Sequence, residues 1–179
     1  MKDNGKSISN VMAGTNLSLN ENVTLKKKWA IRRYDDNSSY LNDEPYSVTE
    51  FEGNVLLNQG INVLQKLLTN SGSQPAAYSN ASASIGVGND ATAAAANQTG
   101  LLGASASYAT MSAGYPVVSG QTTTWRAVFG SGSANFDWRE FTVSNSASNA
   151  GDNLNRKVSN QGTKAAGQTW TIDLDITWS

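Results

Sequence analysis

Alternation of apolar and polar positions is clearest near the end of the chain. Over 168–179, Trp170, Ile172, Leu174, Ile176 and Trp178 alternate with Thr169, Thr171, Asp173, Asp175 and Thr177. A period of two predicts a strand with one face buried and the other wet. Thr122–Phe129 repeats the pattern, with Trp125, Ala127 and Phe129 on one face and Thr124 and Arg126 on the other. A Gly130-Ser131-Gly132-Ser133 turn follows, and Phe136–Val143 is expected to complete a hairpin with that strand. Earlier, Lys28–Tyr34 places Trp29 and Ile31 on one face and Arg32 on the other. After a polar turn at Asp35–Ser39, Tyr46–Glu52 is its expected hairpin partner. Ser84–Asp90 reads as a short strand ending in a glycine turn, and Asp90–Gly103 as a small-residue linker or a short, close-packed helix.

One segment changes period. In Asn58–Thr69, Ile61, Leu64, Leu67 and Leu68 follow the 3, 4 spacing of a single buried helical stripe. Asn58 is the expected N-cap, and Asn70-Ser71-Gly72 the stop. So short a helix is marginal alone and must lie on a sheet. The pattern predicts a mainly β fold, an antiparallel β-sandwich or jelly-roll-like domain with one short amphipathic helix. That single domain spans 28–179. Residues 1–27 lack either periodicity, are rich in Asn, Ser and Gly, and are expected to form an extended N-terminal arm.

Composition narrows the chemistry. Charged residues make up 15% of the 179, against roughly 25% in a typical domain, and neutral polar residues fill the gap. Such surfaces pack on one another without Coulombic repulsion, which suits assembly. The chain has no cysteine and no histidine. Disulfides, thiolate metal sites and imidazole bases are therefore excluded, and no cofactor is expected. No apolar run resembles a signal peptide or approaches a membrane helix, so synthesis in the cytoplasm and no membrane partner are expected.

The charge is uneven. Met1–Arg33 carries seven basic and two acidic residues, whereas the remainder carries six basic and twelve acidic. The cluster Lys26, Lys27, Lys28, Trp29, Arg32 and Arg33 is the candidate protein-interaction site, a basic segment facing a negative partner surface with Trp29 as its anchor. Solvated tail charge is the alternative. With a sequence pI near 5.3, one basic patch is thin support for nucleic acid, and none is expected as a partner.

Other motifs weigh less. Gly86-Val87-Gly88-Asn89-Asp90 lacks the third glycine and the lysine of a phosphate loop, so a strand-to-loop turn accounts for it better. Gly151-Asp152-Asn153-Leu154-Asn155 lacks the spacing and distal Glu of a calcium loop and reads as an Asx-rich turn. The carboxylate pairs Asp137 with Glu140 and Asp173 with Asp175 are the candidates for glycoside hydrolysis, which needs two acids roughly 5–10 Å apart. Trp125, Trp170 and Trp178 are expected in the core.

Three stretches carry a resemblance: EGNVLLNQGI (Glu52–Ile61), SIGVGND (Ser84–Asp90) and FGSGSANFDWREFTV (Phe129–Val143). Together with the alternating end, they resemble decoration or tail-fibre-type modules of tailed-bacteriophage particles, over roughly Trp29 to Trp178. The resemblance carries no catalytic motif. It implies a β-sandwich or jelly-roll module that oligomerises, as a trimer or dimer, on the particle surface. The first expectation is therefore a capsid decoration (cement) protein, assembled in the host cytoplasm onto the major capsid protein of the virion. A tail-fibre or receptor-binding module is the alternative, and a small carbohydrate-active enzyme the third.

Overall fold

A computed structural model describes residues 24–179. The expected arm therefore lies, from residue 1 to 23, outside the described residues. Strand β1 runs from Leu25 to Tyr34, helix α1 from Asn37 to Leu41, β2 from Ser47 to Glu52 and β3 from Val55 to Leu56. Helix α2 (Asn58–Thr69), β4 (Ser84–Gly88), β5 (Ala106–Thr110) and β6 (Val117–Ser119) follow. The rest is β7 (Thr122–Phe129), β8 (Glu140–Ser144), β9 (Asn155–Val158) and β10 (Thr169–Trp178). They form two five-stranded sheets, ordered β2-β1-β10-β7-β6 and β3-β9-β8-β4-β5, with every described pairing antiparallel. The fold is mainly β, a sandwich.

The inner faces build the core. Trp29 and Ile31 on β1 lie opposite Leu174 and Ile172 on β10, which in turn face Trp125 and Ala127 on β7. All six are buried against Ile85, Val87, Phe141 and Val143 of the second sheet. Aromatic rings pack within and between the layers: Trp29 stacks on Phe51 of its own sheet at 6.2 Å and meets Phe141 of the other at 5.7 Å, while Trp138, between the sheets, meets Phe129 at 4.9 Å and Trp170 at 4.8 Å. Offset and edge-on pairs of this kind add to the stabilisation from buried area alone.

The β1–β2 hairpin, the extent of α2 and the strand at Ser84–Gly88 match expectation. Other elements differ, each for a physical reason. β1 starts at Leu25, so Leu25–Lys27 belong to the sheet rather than to an arm. Asp36 and Ser39 form a reciprocal capping box, which turns the expected polar turn into helix α1 and makes two helices of the expected one. Asp90–Gly103 contains no helix.

Phe136–Val143 is no hairpin partner of Thr122–Phe129: β7 and β8 lie in opposite sheets. Between them, the Trp138 amide donates to the Gly162 carbonyl and Lys164 N–H to that of Phe136, and the Trp138 ring fills the end of the core. The chain therefore crosses between the sheets there.

In α2 the buried face is Gly60 and Val63, flanked by half-buried Leu64 and Leu67, whereas Ile61 and Leu68 are exposed, Leu68 at 86%. Gly60 sets that rotation. A Cβ on it would lie 2.4 Å from the Leu154 carbonyl oxygen, so only glycine lets the helix approach this closely. The N-cap is Leu57 rather than Asn58, and it makes no side-chain cap bond; the end at Asn70, in the left-handed region (φ 49°), is as expected. At the end of β10, Trp178 is 38% exposed and outside the core.

Candidate functional site

Strand geometry divides the predicted interaction cluster in two. Even-numbered residues of β1 (Lys26, Lys28, Arg32) point to the outer face of the first sheet, odd-numbered ones (Lys27, Trp29, Arg33) to the side of the core. Trp29 is wholly buried under Phe51 and Phe141, so its role as an anchor into a partner is corrected: it anchors the two sheets to each other. Arg33 is also buried. Its guanidinium lies 4.6 Å above the Trp170 ring and donates to Thr49 Oγ1 and to both the carbonyl and Oε1 of Gln161. Burial lowers its pKa from the ordinary guanidinium value.

The outer face carries an ionic lattice. Lys28 pairs with Glu50 at 2.7 Å, and that hydrogen bond raises the Lys28 pKa. Asp173 on β10 accepts two bonds of 2.6 Å from Arg126 and a third of 3.0 Å from Arg32. The Asp173 bonds raise the Arg126 pKa, and Arg126 also lies 4.8 Å under the Tyr115 ring. Asp175 accepts from Thr124 Oγ1 at 2.6 Å. The acidic surface that the basic run of β1 was expected to meet in a partner is thus supplied within this chain, by β2 and β10. The expected wet face of β10 is partly covered as well, with Thr169, Thr171 and Asp173 buried.

The other candidate acids are equally engaged. Glu140, at the start of β8, is fully buried with Arg156 of β9, likewise fully buried. Arg156 donates to the Glu140 carboxylate through Nε at 2.8 Å. Its other nitrogens reach the Thr92 carbonyl, Gln98 Oε1 and Asp90 Oδ1 at 2.8–3.0 Å. Glu140 also accepts from the backbone N–H of Gly103 at 2.7 Å and Leu102 at 3.0 Å. The pair is a clasp that fixes the 89–105 loop onto the second sheet. Asn149 extends it, accepting from Leu101 N–H and donating to Leu101 O, and Asn153 donates to Thr99 O. Asp90 is held below the ordinary carboxylate range, first by the backbone N–H of Thr92 and also by Arg156. Asp137 is drawn down by its bond from Thr163 and then by Arg139.

Both acid pairs are therefore committed to internal partners. Gly86 and Gly88 are buried in the middle of a sheet rather than in an open phosphate loop: a Cβ on Gly88 would meet Glu140 at 2.4 Å, and one on Gly86 would meet Tyr108 at 2.5 Å. The Asp152 region is an Asx-rich turn, in which Asn145 Oδ1 accepts from Asp152 N–H and Asp152 O accepts from Asn145 N–H. Among the described residues no group of acids is arranged to hold a metal, and no helix is long and apolar enough to cross a membrane. Sequence reasoning named Glu140 but missed Arg156, because the clasp joins positions sixteen residues apart on neighbouring strands and reaches a loop fifty residues earlier. No family model matches the chain, and neither a curated protein nor a solved structure does.

Proposed function

We propose that the chain is a structural component of a tailed-phage particle that works through protein–protein contacts, in the first place as a decoration protein on the outer capsid lattice. The observation that supports this reading is the fate of the charged groups. Glu140 and Asp173, one from each candidate catalytic pair, are saturated by arginines of the same chain, which favours a binding role over acid–base chemistry. Neutral polar surface remains to meet partners, together with exposed apolar side chains such as Val118 and Leu68. Each copy would add buried interface across capsomer joints, and a contact of about 1,000 Å², repeated over the lattice, suffices to stiffen a shell.

The test is the copy number of the chain in purified particles, by quantitative mass spectrometry against the major capsid protein. One copy, or a simple fraction of one, per capsid subunit is expected. A few to a few tens of copies per particle would move the protein to the tail, and none would overturn the assignment.

A further inference from the structure

Charges left unmatched inside the fold sit at opposite ends of β1. β10 flanks that strand from Leu25 onward, whereas β2 flanks it only from Lys28 to Arg33. Past Glu52, Gly53 (φ +80°) turns the chain away towards β3 in the other sheet. That leaves a concavity of about 440 Å³ beside the start of β1, lined by Leu25, Lys26, Lys27, Lys28, Glu52 and Gly53. Lys28 is spent on Glu50. Lys26 and Lys27 have no carboxylate within ion-pair distance among the described residues, and they outnumber Glu52. Lys157 adds positive charge at the border, its Nζ 3.7 Å from where a Cβ on Gly53 would stand. Half-buried Leu25 supplies an apolar patch in the hollow.

The other end of the strand carries the complement. Asp35 and Asp36 lead into α1, Asp43 and Glu44 follow it, and all four are exposed. Asp36 caps the helix and Asp43 accepts from the Tyr34 hydroxyl. None of the four has a cationic partner among the described residues, and no Lys or Arg occurs between Tyr34 and Glu52. Between them in sequence, Leu41 is 73% exposed, an apolar side chain with no place in the core. The ten residues of β1, at about 3.3 Å each, hold the two ends roughly 30 Å apart, so the acidic corner cannot fill the concavity of its own chain.

We infer that this concavity is the docking site for a second copy of the chain, which enters with its α1 corner: Leu41 against Leu25 in the hollow, and the acids beside Lys26 and Lys27. Opposite charge on the two surfaces selects the partner and its orientation, and removal of Leu41 from water adds an apolar contribution. The contact is head-to-tail, so each copy in a pair keeps one free surface, and further copies extend the assembly into a ring or a row. A patch of this size belongs to the weak class of interfaces, below about 1,200 Å², and gains strength when many copies are held on one surface. It is independent of the capsid reading: copy number in particles tests that reading, and self-association of the purified chain tests this one.

The experiment is sedimentation velocity on the full chain, up to about 1 mM, in about 0.05 M and about 0.5 M sodium chloride. Concentration-dependent association is expected at low salt, weakened about ten-fold or more at high salt. Lys26→Gln/Lys27→Gln removes the basic side of the contact, and Asp35→Asn/Leu41→Gln/Glu44→Gln the acidic side. All five positions are exposed or half-buried, so both variants should fold, and each alone should stay monomeric. Mixed in equal amounts they should form a dimer and nothing larger, because one intact concavity then meets one intact corner. A monomeric wild type, association undiminished in either variant, or a mixture that stays monomeric would overturn the inference.

Discussion

Replacing Glu140 with Gln would test whether the buried clasp holds the molecule together. The substitution keeps the shape of the side chain but removes its charge, leaving Arg156 fully buried with only Asp90, itself 28% exposed, as counter-ion. It also turns one acceptor into a donor, so either Leu102 N–H or Gly103 N–H loses its partner. Breaking one side of a buried pair costs about 3–5 kcal/mol, most of it the penalty of the orphaned charge. At this size roughly 2–4 °C of Tm accompanies each kcal/mol, so a fall of about 6–20 °C is expected. Urea unfolding of the wild type, Glu140→Gln, Arg156→Met and the double variant gives the coupling directly: the double variant should lose well under the sum of the singles. Hydrogen exchange at Leu102 and Gly103 should accelerate in both single variants, because the loop they anchor is released. A Glu140→Gln variant within about 1 kcal/mol of wild type, with exchange in the 89–105 loop unchanged, would refute the reasoning.

Gly60→Ala should destabilise the protein although it sits in a helix. Propensity alone predicts a gain of about 1 kcal/mol, but the new Cβ would lie 2.4 Å from the Leu154 carbonyl oxygen, which is backbone and cannot rotate away. A loss of about 1–3 kcal/mol by chemical denaturation is expected, and a gain would show that α2 does not rest on the Leu154 backbone as described. On the alkaline side, burial raises the pKa values of Tyr78 and Tyr108 above that of an ordinary phenol. The folded state then retains protons that the unfolded chain has released, so stability should fall as pH rises above about 10. Tyr108→Phe should flatten that fall in urea midpoints measured from pH 9 to 11, and an identical slope would remove Tyr108 as a cause.

Period-two alternation revealed β1, β2, β7 and β10, because each buries one face and leaves the other partly accessible. It was silent on β5, β6 and β9. Ala106–Thr110 and Val117–Ser119 are short edge strands whose residues are mostly half-buried or exposed, so no alternation is imposed on them. In β9, buried Asn155 and Arg156 occupy positions where a core strand would carry aliphatic residues. The mistaken β7–β8 hairpin has a different origin. A glycine-serine turn between two strand-like segments is compatible with a tight hairpin or with a crossing to the other layer, and the choice rests on Trp138. Its ring packs between Phe129 and Trp170, a long-range contact that no local pattern encodes.

Electrostatic matching explains why the basic run at 26–33 misled in the same way. Counted along the chain, it is an uncompensated positive block beside an acidic one. Folded, β1 comes into register with acids of both neighbouring strands, β2 and β10, with Lys28 opposite both Glu52 and Asp175 and Arg32 beside Asp173. Opposite charges paired across strands stabilise the sheet and specify its register, since a one-residue slip would turn Trp29 and Ile31 to solvent. Blockwise charge asymmetry in a β-protein is therefore evidence about strand neighbours before it is evidence about partners. Within the run, Lys27 and Arg33 project inward and have no described carboxylate partner, and Arg33 is held instead by Thr49, Gln161 and the face of Trp170.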